Sequence, residues 1–80
     1  MERELAKHIA VTGFRSASLL QELLTLLKEH CDQTEYKQYA KAIASVSAEI
    51  SLEILNPIFQ KNPDLKIEIE NKIKKFGKFI

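Results

Sequence analysis

Residues 6–31 read AKHIAVTGFRSASLLQELLTLLKEHC, and the spacing of their apolar side chains decides the fold. Small and apolar residues recur in alternating steps of four and three, the spacing that keeps side chains on one seam of a helix. This first seam consists of Ala6, Ala10, Gly13, Ala17, Leu20, Leu24, Leu27 and Cys31. A second seam beside it consists of Leu5, Ile9, Thr12, Ser16, Leu19, Leu23 and Leu26. A helix with two adjoining apolar seams needs more than one packing partner, so the sequence predicts an all-α helical bundle.

The first helix is predicted over residues 2–30, and Gly13 is its weak point. Glycine costs about 1 kcal/mol relative to alanine inside a helix. Ser18 and Gln21 also have capping-box spacing, which would start a new helix at Ser18. The first seam keeps its phase through Gly13, which favours one helix, bent there, over two helices.

A second helix is predicted from residue 32 to residue 55, because Asp32 and Glu35 form another capping-box pattern. The short connection between the helices predicts an antiparallel helical hairpin. One face of the second helix carries Tyr36, Tyr39, Ile43, Val46, Ile50 and Ile54. An adjoining face carries Ala40, Ala44, Ala48, Leu52, Leu55 and Phe59. Folding the hairpin about residue 32 predicts the pairs Leu24–Ala40, Leu20–Ala44, Ala17–Ala48 and Gly13–Ser51, with close packing of the alanine face.

The dipeptide Asn56-Pro57 is predicted to end the second helix in a kink or a short turn. Proline lacks an amide donor, and it disfavours a helical conformation in the residue before it. Asn62-Pro63-Asp64 then predicts the start of a third, C-terminal helix, with Asn62 as its cap.

The third helix is predicted to end near Gly77. Leu65, Ile67 and Ile69 alternate with charged residues, which leaves a strand as the alternative there. The helical period extends further along the chain and is favoured. It places Leu65, Ile69, Ile73 and Phe76 on one side.

Composition indicates a single helical domain over residues 1–80 with a formal net charge of +1. No uninterrupted apolar run approaches the roughly 20 residues of a membrane span, and the N-terminus does not resemble a signal peptide. We therefore expect a cytoplasmic protein without a membrane span. The single cysteine, Cys31, is expected to be a reduced thiol, with a bridge between two chains as the alternative.

The sequence offers no set of residues from which a catalytic site can be assembled, so we expect neither an enzyme nor a cofactor. His30, Cys31 and Asp32 are adjacent, and consecutive helical residues diverge, although a metal site shared between subunits is conceivable. The pairs Glu4–His8 and Glu49–Glu53 are better explained as surface pairs and solvated faces than as metal ligands or acid–base groups.

The C-terminal residues are the most basic part of the chain. Lys72, Lys74, Lys75 and Lys78 lie in the last ten residues, where there is no acidic residue. Such lysines stabilise the negative end of a helix dipole, and they also provide contacts for phosphates or an anionic membrane. They define the alternative function, a nucleic-acid-binding protein.

The apolar faces exceed what three helices of one chain can cover, so we expect a homodimer in which two hairpins form a four-helix core. The expected function is a protein–protein interaction or regulatory module that presents helical surfaces and has no catalytic activity.

Overall fold

The computed structural model describes residues 1–77 and is helical almost throughout. Its elements are α1 (Arg3–His30), α2 (Gln33–Glu49), a π-helical segment (Ile50–Leu55), α3 (Asn56–Lys61) and α4 (Pro63–Phe76). The second to fourth elements run on without a break and form one continuous helix, Gln33–Lys61, here called the central rod. No strand occurs within residues 1–77, which confirms the all-α class and excludes a strand at Leu65–Ile69.

Helix α1 passes through Gly13 unbroken, which confirms the single first helix. Its 28 residues correspond to a length of about 42 Å. The glycine is buried because the central rod approaches it closely: an added Cβ would lie 3.0 Å from Leu55 Cδ2 and 3.6 Å from Ile50 Cγ2. The atoms nearest to that Cβ therefore belong to Leu55 and Ile50, and not to the predicted neighbour Ser51.

The predicted caps are correct at two of three helix ends. Asp32 Oδ1 accepts a hydrogen bond from the Glu35 amide at 2.8 Å, and Gly77 ends α4 in the left-handed conformation with φ +77°. Asn62 does precede α4, but its side chain does not cap that helix. Its Nδ2 donates backward to the carbonyl of Ile58 at 3.2 Å, satisfying an acceptor at the end of α3.

The predicted end of the helix in a short turn at Asn56-Pro57 is wrong, because the central rod continues through it. Asn56 is right-handed helical, and its amide donates to the carbonyl of Ser51, five residues back. In an α-helix the ring of Pro57 would clash with the preceding turn, and its missing amide would break the hydrogen-bond ladder. The wider π-helical turn just before it accommodates the proline. A local change of helical pitch thus replaces the predicted turn.

The predicted close packing of the alanine face is also wrong. Ala44 and Ala48 are exposed, whereas Ile43 is buried and Ser47 is half-buried. The rod is therefore rotated, and its inward stripe combines members of both predicted faces with Ser47, which belongs to neither. This stripe consists of Tyr36, Ala40, Ile43, Ser47 and Ile50.

The core lies at the end of the molecule where α4 is packed. Its buried cluster consists of Ala6, Ala10, Leu55, Ile58, Leu65 and Ile69. Three ion pairs join α1 to α4 beside this cluster: Arg3 with Asp64, Arg3 Nη2 with Glu68 Oε2 at 3.9 Å, and Lys7 Nζ with Glu68 Oε1 at 2.7 Å. Helix α4 has 14 residues and spans about 21 Å, so it is half as long as α1.

The central rod is long and apolar enough, by length and composition, to cross a membrane. The rod contains no uninterrupted apolar run, because Glu49, Glu53 and several serines are interspersed with its apolar residues. Core helices of soluble proteins can have the same length and composition, but they are mostly buried, whereas only 17% of the apolar window in this rod is buried. The expectation of a protein without a membrane span therefore stays a prediction.

Candidate functional site

The strongest candidate site is the second seam of α1, which residues 1–77 leave largely uncovered. Leu19, Leu23 and Leu26 are 63%, 43% and 54% exposed. The first seam packs against the rest of the chain. Its members Ala6, Ala10 and Gly13 are buried, and its later members, from Ala17 to Cys31, are half-buried. The structure thus separates two seams that the sequence pattern treats alike.

Two shallow apolar hollows lie along this uncovered seam and share Ser16. The first has a volume of about 420 Å³ and lies between α1 and the π-helical segment. It is lined by His8, Ile9, Thr12, Gly13, Ser16, Ile50 and Ile54. The second has a volume of about 680 Å³ and is lined by Ser16, Leu19, Leu20, Glu22, Leu23 and Leu26. Together they form a continuous apolar surface along most of α1.

The polar group in the middle of this surface already has a hydrogen-bond partner. Ser16 Oγ donates to the carbonyl of Thr12 at 2.8 Å. Because this donor is satisfied within α1, covering Ser16 with an apolar group costs less than burying a free hydroxyl. This part of the surface can therefore bind another apolar surface.

The sequence predicted the second seam but not the opposite wall of the first hollow. Ile50 and Ile54 form this wall, and both belong to the π-helical segment. Their spacing placed them on one face of the second helix, but their position beside α1 depends on the rotation of the central rod, for which the sequence carries no local signal.

The overall dimensions show that the chain is extended for its size. Its radius of gyration is 14.6 Å, whereas about 12 Å is typical of a compact domain of this length. Its accessible surface is 6057 Å², and about 4,900 Å² is typical of a folded monomer of this mass. The excess is about 1,100 Å², and the thinnest dimension of the molecule is 15 Å.

The four candidate lysines do not form one equivalent set. Lys74 and Lys75 are exposed, and the Lys75 amine lies 5.3 Å from the centre of the Phe76 ring. Lys72 is half-buried, and its charge helps to stabilise the Glu68 carboxylate. Lys78 lies outside the described residues. The structure therefore brings two lysines together on the exposed side of α4 and directs a third toward the chain's own ion pairs.

The ion pairs between α1 and α4 account for the carboxyl groups with altered acidity. The hydrogen bond from Lys7 lowers the pKa of Glu68 below its usual value, although partial desolvation opposes the shift. The hydrogen bond from Arg3 lowers the pKa of Asp64 in the same way. These groups hold α4 in place and lie away from the hollows.

Other candidate residues remain dispersed. Across residues 1–77, no three histidine, cysteine, aspartate or glutamate side chains come together in a way that could hold a metal ion. His8 lines the first hollow, whereas Glu4, Glu49 and Glu53 are exposed outside both hollows. Cys31 is a half-buried free thiol at the end of α1.

The sequence matches no protein-family model and no curated protein, and no solved structure is significantly similar to it.

Proposed function

We propose that this protein is an interaction or regulatory module that presents helical surfaces, has no catalytic activity, and works as a homodimer. The observation that carries the proposal is the exposed leucine-rich seam of α1. Contiguous apolar surface of this kind is a common mark of protein–protein contact. An excess of about 1,100 Å² over a compact monomer is close to the roughly 800 Å² that each partner contributes to a standard interface.

In this proposal α1 and the central rod form an antiparallel hairpin, and two hairpins form a four-helix core. The contacts of Gly13 with Ile50 and Leu55 support the hairpin, since they place the middle of α1 against the second half of the central rod. Helix α4 covers only the end of the hairpin where Leu65 and Ile69 are buried. The other end is two helices thick and provides the surface for a second copy. This arrangement is compatible with a single-domain protein in the cytoplasm. Both the single domain and the location stay predictions.

Sedimentation equilibrium at micromolar concentration tests the proposal. We expect a mass twice the 9.2 kDa of the chain. Leu19→Lys is expected to raise the dimer Kd about a hundredfold, because the leucine is lost from both halves of a symmetric interface. Leu52→Lys is the matched control, since Leu52 is 59% exposed, lines neither hollow, and is expected to leave the Kd unchanged. A wild-type chain that stays folded as a monomer contradicts the proposal.

A second candidate function is nucleic-acid binding through the basic end of α4. It is supported by the exposure of Lys74 and Lys75 on the side away from Ile69. Replacing both lysines by glutamine is expected to weaken binding to generic duplex if this function is correct, and to reduce the salt dependence of the binding. Binding that is unaffected by this change removes the candidate.

A further inference from the structure

We infer that the second copy lies antiparallel along the second seam of α1, so that the leucines of each copy fill the first hollow of the other. The inference rests on the proposed function, because it specifies the occupant and the geometry of the same surface. The twofold axis passes between Ser16 and Leu19, near the middle of the seam.

The spacing of the seam is compatible with this register because it is the same in both directions. An alternating series of three and four is symmetric about the midpoint of every step, so the sizes and charges of the side chains select this midpoint. From the central step between Ser16 and Leu19, the next positions outward are four residues away on each side, and the following ones are a further three. Reversing one copy about this point places Ser16 opposite Leu19 of the partner subunit and Thr12 opposite Leu23 of the partner subunit. A C2 axis uses the same patch twice, which a palindromic seam satisfies without gaps.

The sizes of the side chains are also complementary in this register. The N-terminal half of the seam contains Thr12 and Ser16, beside which the hollow of about 420 Å³ lies open. The C-terminal half contains Leu19, Leu23 and Leu26, which project from the surface. Ser16 and Thr12 therefore meet larger side chains across the axis, as the interdigitation of packed helices requires, whereas Ile9 meets Leu26 of the partner subunit. A parallel arrangement would instead set leucine against leucine and leave the hollows open.

The charges that flank the seam are complementary only when the copies run in opposite directions. His8, Arg15, Glu22 and Glu29 follow one another at intervals of seven residues, on the side of the seam away from the buried first seam. In the antiparallel register Arg15 lies beside Glu22 of the partner subunit, and His8 lies beside Glu29 of the partner subunit. The two Arg15–Glu22 contacts are related by the axis, and both residues are exposed in the single chain.

A charge-reversal series tests this register by measuring the dimer Kd of Arg15→Glu, Glu22→Arg and the double variant. Each single variant creates two like-charge contacts across the axis. We therefore expect the Kd to rise about tenfold, and more at low salt than at high salt. The double variant restores opposite charges and is expected to return to within about threefold of the wild-type Kd. Lys41→Glu is the control for net charge, because Lys41 is exposed on α2, away from the seam, and is expected to have no effect.

The outcomes separate the inference from the proposed function. If Leu19→Lys weakens the dimer, but the double charge-reversal variant does not recover the affinity lost in Arg15→Glu and Glu22→Arg, the antiparallel register is overturned and the homodimer stands. A folded wild-type monomer overturns both. Circular dichroism of each variant verifies that its helices are intact, and the exposed positions of Arg15 and Glu22 lead us to expect that they are.

Discussion

The docking of α4 on α1 leads to a prediction that two isoleucines in one helix can test. Ile69 is 0% exposed and belongs to the buried cluster, whereas Ile67, two residues earlier, is 61% exposed. Replacing each of them by alanine removes the same atoms from the same helix. The two substitutions therefore differ only in what surrounds the side chain.

The expected loss for Ile69→Ala is about 3 kcal/mol in the free energy of unfolding. Isoleucine-to-alanine changes in cores cost about 2–5 kcal/mol, depending on how far the site can collapse. We expect the lower half of this range, because α4 is held on α1 by surface ion pairs and can move toward Ala6 and Ala10. Ile67→Ala is expected to change stability by less than about 0.5 kcal/mol, since alanine is also the better helix former.

Urea denaturation followed by far-UV circular dichroism measures both values, at one fixed protein concentration so that association does not differ between samples. A chain of this length has a total stability of about 4–12 kcal/mol. The loss at Ile69 is thus a large part of the total, and we expect the midpoint of thermal unfolding to fall by about 12 °C or more. If the two variants unfold at the same urea concentration, α4 does not pack through Leu65 and Ile69, and the core described above is wrong.

Three further changes test other contacts. Ser47 Oγ is buried without a hydrogen-bond partner among residues 1–77. Ser47→Ala should therefore raise the free energy of unfolding by about 1 kcal/mol. Ser45→Ala, at an exposed position, is the control and should raise it by about half as much or less. Gly13→Val should lower it by about 1–3 kcal/mol, because even a Cβ would lie 3.0 Å from a core leucine; an increase in urea resistance would show that the two helices are further apart. The lowered pKa of Glu68 means that its ion pair stabilises the fold above the usual carboxyl pKa and is lost as the pH falls through the lower, folded value. Thermal unfolding between neutral pH and pH about 3 should therefore show a smaller acid-induced loss in Glu68→Gln than in the wild type, and equal losses would contradict this role.

Much of the secondary structure can be predicted from the sequence, because it depends on local rules. Asp32 begins its helix through a side-chain bond to an amide three residues on, and Gly77 ends one through a conformation that glycine adopts easily. Pro57 shows where local rules fail. A proline was expected to interrupt the helix, but packing of Leu55 and Ile58 on both sides of it favours a continuous rod with one widened turn.

The candidate site was predictable only in part. The leucines of the second seam are evident from their spacing, yet the same spacing describes the first seam, and burial alone distinguishes the two. The spacing of Ile50 and Ile54 placed them on one face of the second helix, but no local pattern set that face beside the first hollow, because both lie in a segment whose helical pitch differs from that of its neighbours.

The sequence by itself determined that the chain is helical and that α1 has two apolar seams. It also determined where α1, the central rod and α4 begin. These properties depend on side chains a few residues apart, within reach of one another on a single helix. Only the tertiary structure decided which seam is buried, how the central rod is rotated, and that α4 is too short to cover the leucines near the end of α1. Those outcomes depend on contacts between residues as distant in sequence as Arg3 and Asp64, whose strength no local pattern encodes.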